Sequence, residues 1–224
     1  MRRAIVPLVI GVVGAAVLIS LGVWQVQRLQ WKESVLAEIE ARIVADPVAV
    51  PAEPDPERDR YLPVRATGTL SEEAVHVLVS TRSEGAGFRI ISRLETEEGR
   101  VLMVDRGFVP DEDKAAARPA VEATITGNLH WPEEIDGFTP EPDLNANIWF
   151  ARDVPTLAEA LNAEPVLIVA RTTSETDPAV TPLPVDTAGI PNDHLEYAVT
   201  WFGLATVWIG MTGFLLWRIR QGRA

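Results

Sequence analysis

Few side chains in this 224-residue sequence could carry out metal or nucleophilic chemistry: it has three histidines, His76, His130 and His194, and no cysteine. Without thiols there are no disulfides, thiolate zinc sites or Cys-x-x-Cys redox centres, so a bound metal must rely on imidazole, on carboxylate, or on ligands that a cofactor brings with it. The sequence has no Gly-x-Ser-x-Gly elbow, P-loop, Rossmann glycine fingerprint or His-Glu-x-x-His pair, and its carboxylates are scattered among turns and charged loops. The expectation is a protein that is not an enzyme. His76 alternates with valines in Ala74-Val75-His76-Val77, and His130 precedes Trp131-Pro132 at a strand end. Neither is assigned a function.

His194 is placed differently. It lies in Asn192-Asp193-His194-Leu195-Glu196-Tyr197, where a polar region gives way to an apolar run. Asp193 and Glu196 have the spacing of a capping box, which makes Asp193 the N-cap and His194 the first helical residue. The positive helix end disfavours imidazolium and the two carboxylates favour it; if the dipole and low-dielectric surroundings win, the ring is neutral, the form that binds metals. The local pattern is equally met by a polar residue at a water boundary.

Two stripes of aromatic residues accompany this histidine. Leu21, Trp24, Arg28 and Trp31 follow i, i+3, i+7 and i+10 and share one helix face, as do His194, Tyr197, Trp201, Leu204 and Trp208. If the two helices pair, the stripes could face one another across a pocket. Interfacial anchoring by Trp and Tyr, with Arg reaching towards water, accounts for either stripe taken alone.

The elements that must position these residues lie at the two ends of the chain. Residues 4–27 and 197–217 contain no charge, and each run exceeds the ~20 residues that cross a bilayer core. The expected organisation is a first transmembrane helix at 4–27, a helical extension at 28–44, a Pro-rich linker at 45–60, a β-rich domain at 61–171, a second Pro-rich linker at 172–193 and a second transmembrane helix at 194–217. A cleaved signal peptide is the competing reading of the first span, against which stand its length and the lack of a small-x-small cleavage site. A helix continuing to Ile43 would be ~60 Å long.

Arg2 and Arg3 flank the first span and Arg218, Arg220 and Arg223 the second, so the positive-inside rule places both termini in the cytoplasm and the middle on the far side. With a single residue before Arg2-Arg3 there is no room for a transit peptide, which suggests the inner membrane of a bacterium, with the central domain in the periplasm. That middle retains 15 of the 20 Lys and Arg against all 32 Asp and Glu, a net of about −17. Such a surface argues against nucleic acid, which needs a basic footprint.

Within the domain, strand patterns fall at 61–69, 75–79, 88–94, 101–109, 121–129, 148–151 and 165–171, with a short helix opened by Asp153-Val154-Pro155. The fold class expected is therefore a membrane protein with two transmembrane helices flanking a β-rich α+β domain, an antiparallel sheet or small barrel. Gly11-x-x-x-Ala15 in the first span, and Gly210 with Gly213 in the second, could serve helix packing.

Four blocks in order carry a resemblance. They are Leu21-Gly22-Val23-Trp24-Gln25 with Arg28, Trp31 and Lys32; Asp105-Arg106-Gly107-Phe108-Val109-Pro110 with Arg118; Gly137-Phe138-Thr139-Pro140 with Asn147, Trp149, Phe150, Arg152 and Asp153; and Asn192, His194, Leu195, Tyr197, Thr200, Trp201, Phe202, Gly203 and Leu204. The chain resembles the surfeit locus protein family of cytochrome c oxidase assembly factors, nearly end to end. The resemblance implies a non-enzymatic role in building the oxidase by binding haem a and assisting its insertion into the catalytic subunit, with that subunit, haem a synthase and the lipid bilayer as partners. It makes His194 the candidate iron ligand. Trp24, Trp31, Tyr197 and Trp201 would be pocket walls, and Arg28 or Lys32 a propionate partner. A scaffold that holds nascent oxidase subunits without touching haem is the alternative. For Gly107 the residue pattern suggests a bulge or close backbone approach, for Asp153 a helix cap, and for Arg152 a surface contact.

Overall fold

A computed structural model describes residues 2–81, 84–175 and 180–222. Arg223, the stretch 176–179 of the second expected linker, and the side chains of Arg2 and Arg3 lie outside the described residues. The chain divides into a helical unit, Met1–Glu38 with Thr187–Ala224, and a β unit, Ile39–Asp186.

Two helices make the first unit. α1 (Arg2–Ile43) runs unbroken from the apolar stretch into its charged continuation, so span and extension are one element. Pro7 sits near its start, where few backbone donors are displaced. α3 (His194–Gln221) begins at His194 as the sequence predicts. Asp193 is its N-cap, but its side chain makes no capping hydrogen bond, so the expected capping box does not form.

Both helices expose large apolar side chains along most of their length, among them Ile5, Val9, Val12, Val17, Val199, Val207, Met211 and Phe214. What they bury is a narrow seam. A methyl group added at Gly14 would lie 2.5 Å from the Trp208 indole, and one at Gly22 2.8 Å from the Phe202 ring; Gly11 meets Thr212 in the same way. Small residues on one helix thus receive bulky ones from the other, the packing that serves helices where water supplies no driving force. Ala198 and Ala205 are the buried counterparts on α3. Gly210 and Gly213, read in the sequence as packing residues, face open space.

The second unit is built on β1 (Val48–Ala49), β2 (Pro63–Thr81), β3 (Gly85–Thr96), β4 (Val101–Pro110), β5 (Val121–Leu129), α2 (Val154–Leu161) and β6 (Leu167–Thr173). The strand order is β1-β2-β3-β4-β6-β5, and β2 also pairs with β5, which closes five strands into a small barrel. Closure is possible because β2 has two neighbours along its 19 residues: Pro63 to Leu70 pair with β5, and Gly68 to Thr81 with β3. The expected strands at 61–69 and 75–79 are one strand, with an irregularity between Leu70 and Ala74. The sheet is mixed rather than antiparallel, since β1 runs parallel to β2 and β4 parallel to β6. The segment 148–151, expected as a strand, makes only isolated bridges through Ile148 and Trp149.

Alternation along each strand sorts the core. Val64, Ala66, Leu70, Leu94, Leu102, Val104, Ile125, Leu129, Ile168 and Ala170 form one apolar cluster. The intervening residues Ile91, Met103, Leu167 and Val169 join Val154, Leu157 and Leu161 of α2 in a second. β4 is therefore covered on both faces, and its interior residues are all buried. Asp153 accepts a hydrogen bond from the Thr156 amide and starts α2, and Asn162 ends it in the left-handed conformation.

Neither stretch expected as a linker is loose throughout. Arg100 donates to the carbonyls of Val50 and Pro51 while paired with Glu164 at 2.7 Å, and Asp55 and Asp59 fold 55–59 into a hydrogen-bonded turn. After β6, Phe108 and Thr181 exchange backbone hydrogen bonds of 2.7 and 3.0 Å.

Candidate functional site

In the helical unit the polar residue that meets His194 is Gln25. Imidazole Nδ1 lies 2.8 Å from the amide Oε1 of Gln25, and Gln25 is 8 % exposed, a buried polar side chain on an otherwise apolar seam. Gly22 lies one turn before Gln25 and Ala198 one turn after His194, so small residues bring the helices close enough for the bond to form. Further along the seam, Trp208 Nε1 donates to the Gly11 carbonyl at 3.0 Å, a second polar contact between the helices.

The aromatic stripes run beside this seam. Trp24, a single residue and so about 100° away from Gln25, is 54 % exposed, Trp31 49 % and Tyr197 56 %. Trp201 and Lys32 are half-buried and Arg28 is exposed. The Arg28 guanidinium lies 3.8 Å from the centre of the Trp31 ring, so these two are joined by a cation–π contact on α1 itself. Among the described residues no ring contact joins Trp24 or Trp31 to Tyr197 or Trp201. The structure therefore gathers His194 with Gln25 and Arg28 with Trp31, and leaves aromatic surface around them. Gln25 and Phe202 stand in the blocks that carry the resemblance but receive no site role from the sequence; the signal for one is that Gly11, Gly14, Gly22 and Gln25, spaced by 3, 8 and 3, share one helix face.

Could a metal be held here? No group of three or more His, Asp or Glu side chains suited to an ion occurs among the described residues. A lone imidazole whose Nδ1 is occupied suits a metal that arrives with its other ligands already in place.

The β unit carries a polar cluster of another kind. Asp105 is fully buried, paired with Arg89 at 2.7 Å and Arg152 at 3.3 Å, and accepts from the Gly107 amide. Arg152 in turn pairs with Glu134 at 2.5 Å. Burial works against the Glu134 carboxylate, but its bonds to Arg152 prevail and hold its pKa below the usual range. Arg152, expected as a surface contact, is thus an internal link. Arg106 is buried with Glu175 as its ion-pair partner. Gly107 adopts φ +123° with its α-carbon against the Thr181 carbonyl, at a bulge where Ile90 pairs with Gly107 and Ile91 with Asp105. A side chain there would clash, which bears out the close-approach reading.

His130 stacks on Tyr61 with ring centres 5.4 Å apart. Burial, and then the charges of Arg152 and Arg60, push its pKa down to about 4. His76 is pushed down to about 4 by burial and then by Lys114 and Arg118. Both are neutral near pH 7, and each has a buried Nδ1 without a hydrogen-bond partner among the described residues.

Comparison with known proteins agrees with the four sequence blocks. The model of the SURF1 family matches residues 12–206. The chain belongs to the SURF1 family. Surfeit locus protein 1 of Homo sapiens is 31 % identical over 222 residues, covering 88 % of this chain and 73 % of the human one. The SURF1-like protein of Monosiga brevicollis is 32 % identical, with 88 % and 82 % covered. A bacterial relative, the SURF1-like protein of Rickettsia felis, is 31 % identical over 200 residues, with 84 % and 87 % covered. The matched span of the SURF1 family includes Gln25 and His194 as well as the whole β unit.

Proposed function

We propose that this SURF1-family protein is a bacterial inner-membrane assembly factor for cytochrome c oxidase that holds haem a at the His194 end of its two helices and hands it to the catalytic subunit. The observation that carries the reading is the His194–Gln25 bond, which occupies one ring nitrogen from the neighbouring helix and leaves the other for a ligand. Haem a would supply an iron that needs only an axial base, a hydrocarbon tail and two anionic propionates. The exposed faces of Trp24, Trp31, Tyr197 and Trp201 offer apolar surface for the ring and tail, and Arg28 and Lys32 offer charge for the propionates. A single imidazole with no thiolate is a weak enough hold for cargo that must be released.

The two helices are long and apolar enough to cross a bilayer and expose their apolar side chains, which supports a double membrane anchor. On this reading both termini are cytoplasmic, the acidic β unit is periplasmic, and the partners are lipid, haem a synthase and the oxidase catalytic subunit. The role is that of a carrier, with no reaction catalysed.

The test is the absorption spectrum of protein purified from cells that make haem a. A haem a band is expected in the wild type and its loss in His194→Ala, with folding checked by circular dichroism. An unchanged spectrum in that variant removes His194 from the role. The outward-facing aromatic stripes also favour a second reading, a haem-free scaffold for nascent subunits. It predicts haem-free protein that still co-isolates with the catalytic subunit.

A further inference from the structure

The Gln25 amide is built into the seam in a way that apolar packing does not require. Elsewhere on the interface Gly11, Gly14 and Gly22 of α1 meet Thr212, Trp208 and Phe202, with Ala198 and Ala205 buried on α3, yet at the level of His194 α1 buries a side chain with both a donor and an acceptor. Burying such a group costs free energy unless its hydrogen bonds are made, and the bond it makes is to the imidazole.

The polarity of that bond decides what the ring can do. The structure sets the amide oxygen, an acceptor, against Nδ1, an arrangement in which Nδ1 is the atom that carries the proton. In a neutral imidazole the lone pair is then on Nε2 alone. Were the amide reversed, its NH2 would donate to Nδ1, the proton would sit on Nε2, and that nitrogen could not ligate a metal. One side chain on α1 therefore sets which nitrogen of a residue on α3 is available.

We infer that Gln25 is a positioning residue: it selects the His194 tautomer protonated at Nδ1, turns Nε2 into the ligating atom, and fixes the plane of the ring. Removing it leaves His194 free to rotate and to populate both tautomers. This inference rests on the proposed haem a role for its second measurement but not for its first. Partners of this kind on metal-bound histidines change metal affinity by about 10–100-fold when lost.

The first measurement uses the full-length protein in detergent, labelled with 15N-histidine and free of haem, at an alkaline pH where a histidine ring is neutral. His194, assigned by its absence in His194→Ala, is expected to show a protonated Nδ1 and an unprotonated Nε2. In Gln25→Leu the two nitrogens should move towards averaged shifts. A proton on Nε2 in the wild type, or an unchanged tautomer in Gln25→Leu, overturns the inference.

The second measurement adds haem a and follows binding by absorption. Gln25→Leu should bind at least tenfold more weakly, whereas Gln25→Glu, which keeps an acceptor at the same place, should restore binding and lower the iron midpoint potential by making the imidazole a stronger donor. A Gln25→Leu affinity equal to the wild type overturns the positioning role. If the wild type binds no haem a, the proposed function fails while the nitrogen shifts still decide the tautomer.

Discussion

The helical unit and the β unit solve the placement of polar groups in opposite ways. The helices turn Ile, Val, Met and Phe outwards and hydrogen-bond the buried Gln25 amide to the half-buried His194 ring on a seam lined by glycine and alanine. The β unit turns its carboxylates outwards and keeps inside an apolar barrel plus a charged cluster, Asp105 with Arg89 and Arg152. A single side-chain hydrogen bond can be exchanged for another at modest cost. The charged cluster cannot, because each member left alone is a buried charge. The helical seam thus rests on exchangeable hydrogen bonds, and the β interior on charges that must stay paired.

Four substitutions and a titration would break or sharpen this contrast. Asp105→Leu leaves Arg89 and Arg152 without their shared counter-ion, and a loss of about 3–5 kcal/mol is expected in denaturant unfolding of the full-length protein. A loss under about 1 kcal/mol would mean that the cluster is not held by charge compensation. Gly107→Ala forces a side chain into a positive-φ position facing Thr181, with a loss of at least roughly 1–3 kcal/mol from backbone strain.

Both changes should leave the seam intact, readable as an unchanged Trp208 indole N–H signal in 15N-tryptophan-labelled protein, assigned by its absence in Trp208→Phe. The converse is Gly14→Leu, which drives a side chain into the Trp208 indole and should shift that signal while costing helix packing about 1–3 kcal/mol and the β unit nothing. Asp153→Ala removes the cap of α2 for about 1 kcal/mol in the same unfolding experiment.

The β unit should also show a pH dependence. His76 and His130 have folded pKa values near 4, below the 6.5 of a free imidazole, so the unfolded chain binds more protons between those limits. Their contribution to stability is complete above pH 6.5, is lost as the pH falls towards 4, and changes no further below it. Replacing both with Gln should flatten that part of the melting-temperature profile, and an unaltered slope would assign it to carboxylates instead.

Much of the frame was legible because it follows from periodicity. Both long helices follow from charge-free apolar runs, the start of α3 at His194 and the Asp153 cap from local helix-start patterns, most strands from alternation, and the Gly107 bulge from a glycine within strand-like sequence. What escaped depends on pairing across the chain. β2 looked like two strands because Leu70 to Ala74 breaks its alternation, and nothing local distinguishes a parallel β4–β6 pair from an antiparallel one. Residues 148–151 have strand composition yet spend their hydrogen bonds on single bridges. At the site, His194 is conspicuous because it stands where a polar region gives way to an apolar run. Gln25, though quoted in the first block, receives no role because the conspicuous tryptophans mark the adjacent face, whereas the glycines mark the seam.

The strand order of the barrel has a bearing on when it can form. β6 is the last strand made, yet it lies between β4 and β5, and the β2–β5 pairing that completes the ring joins residues some sixty positions apart. Contacts so distant in sequence form slowly, since loop entropy is lost before they are rewarded. During synthesis, β2 to β5 must wait with β4 and β5 lacking a neighbour until Thr173 has emerged, which is when the nascent chain has most to gain from a chaperone.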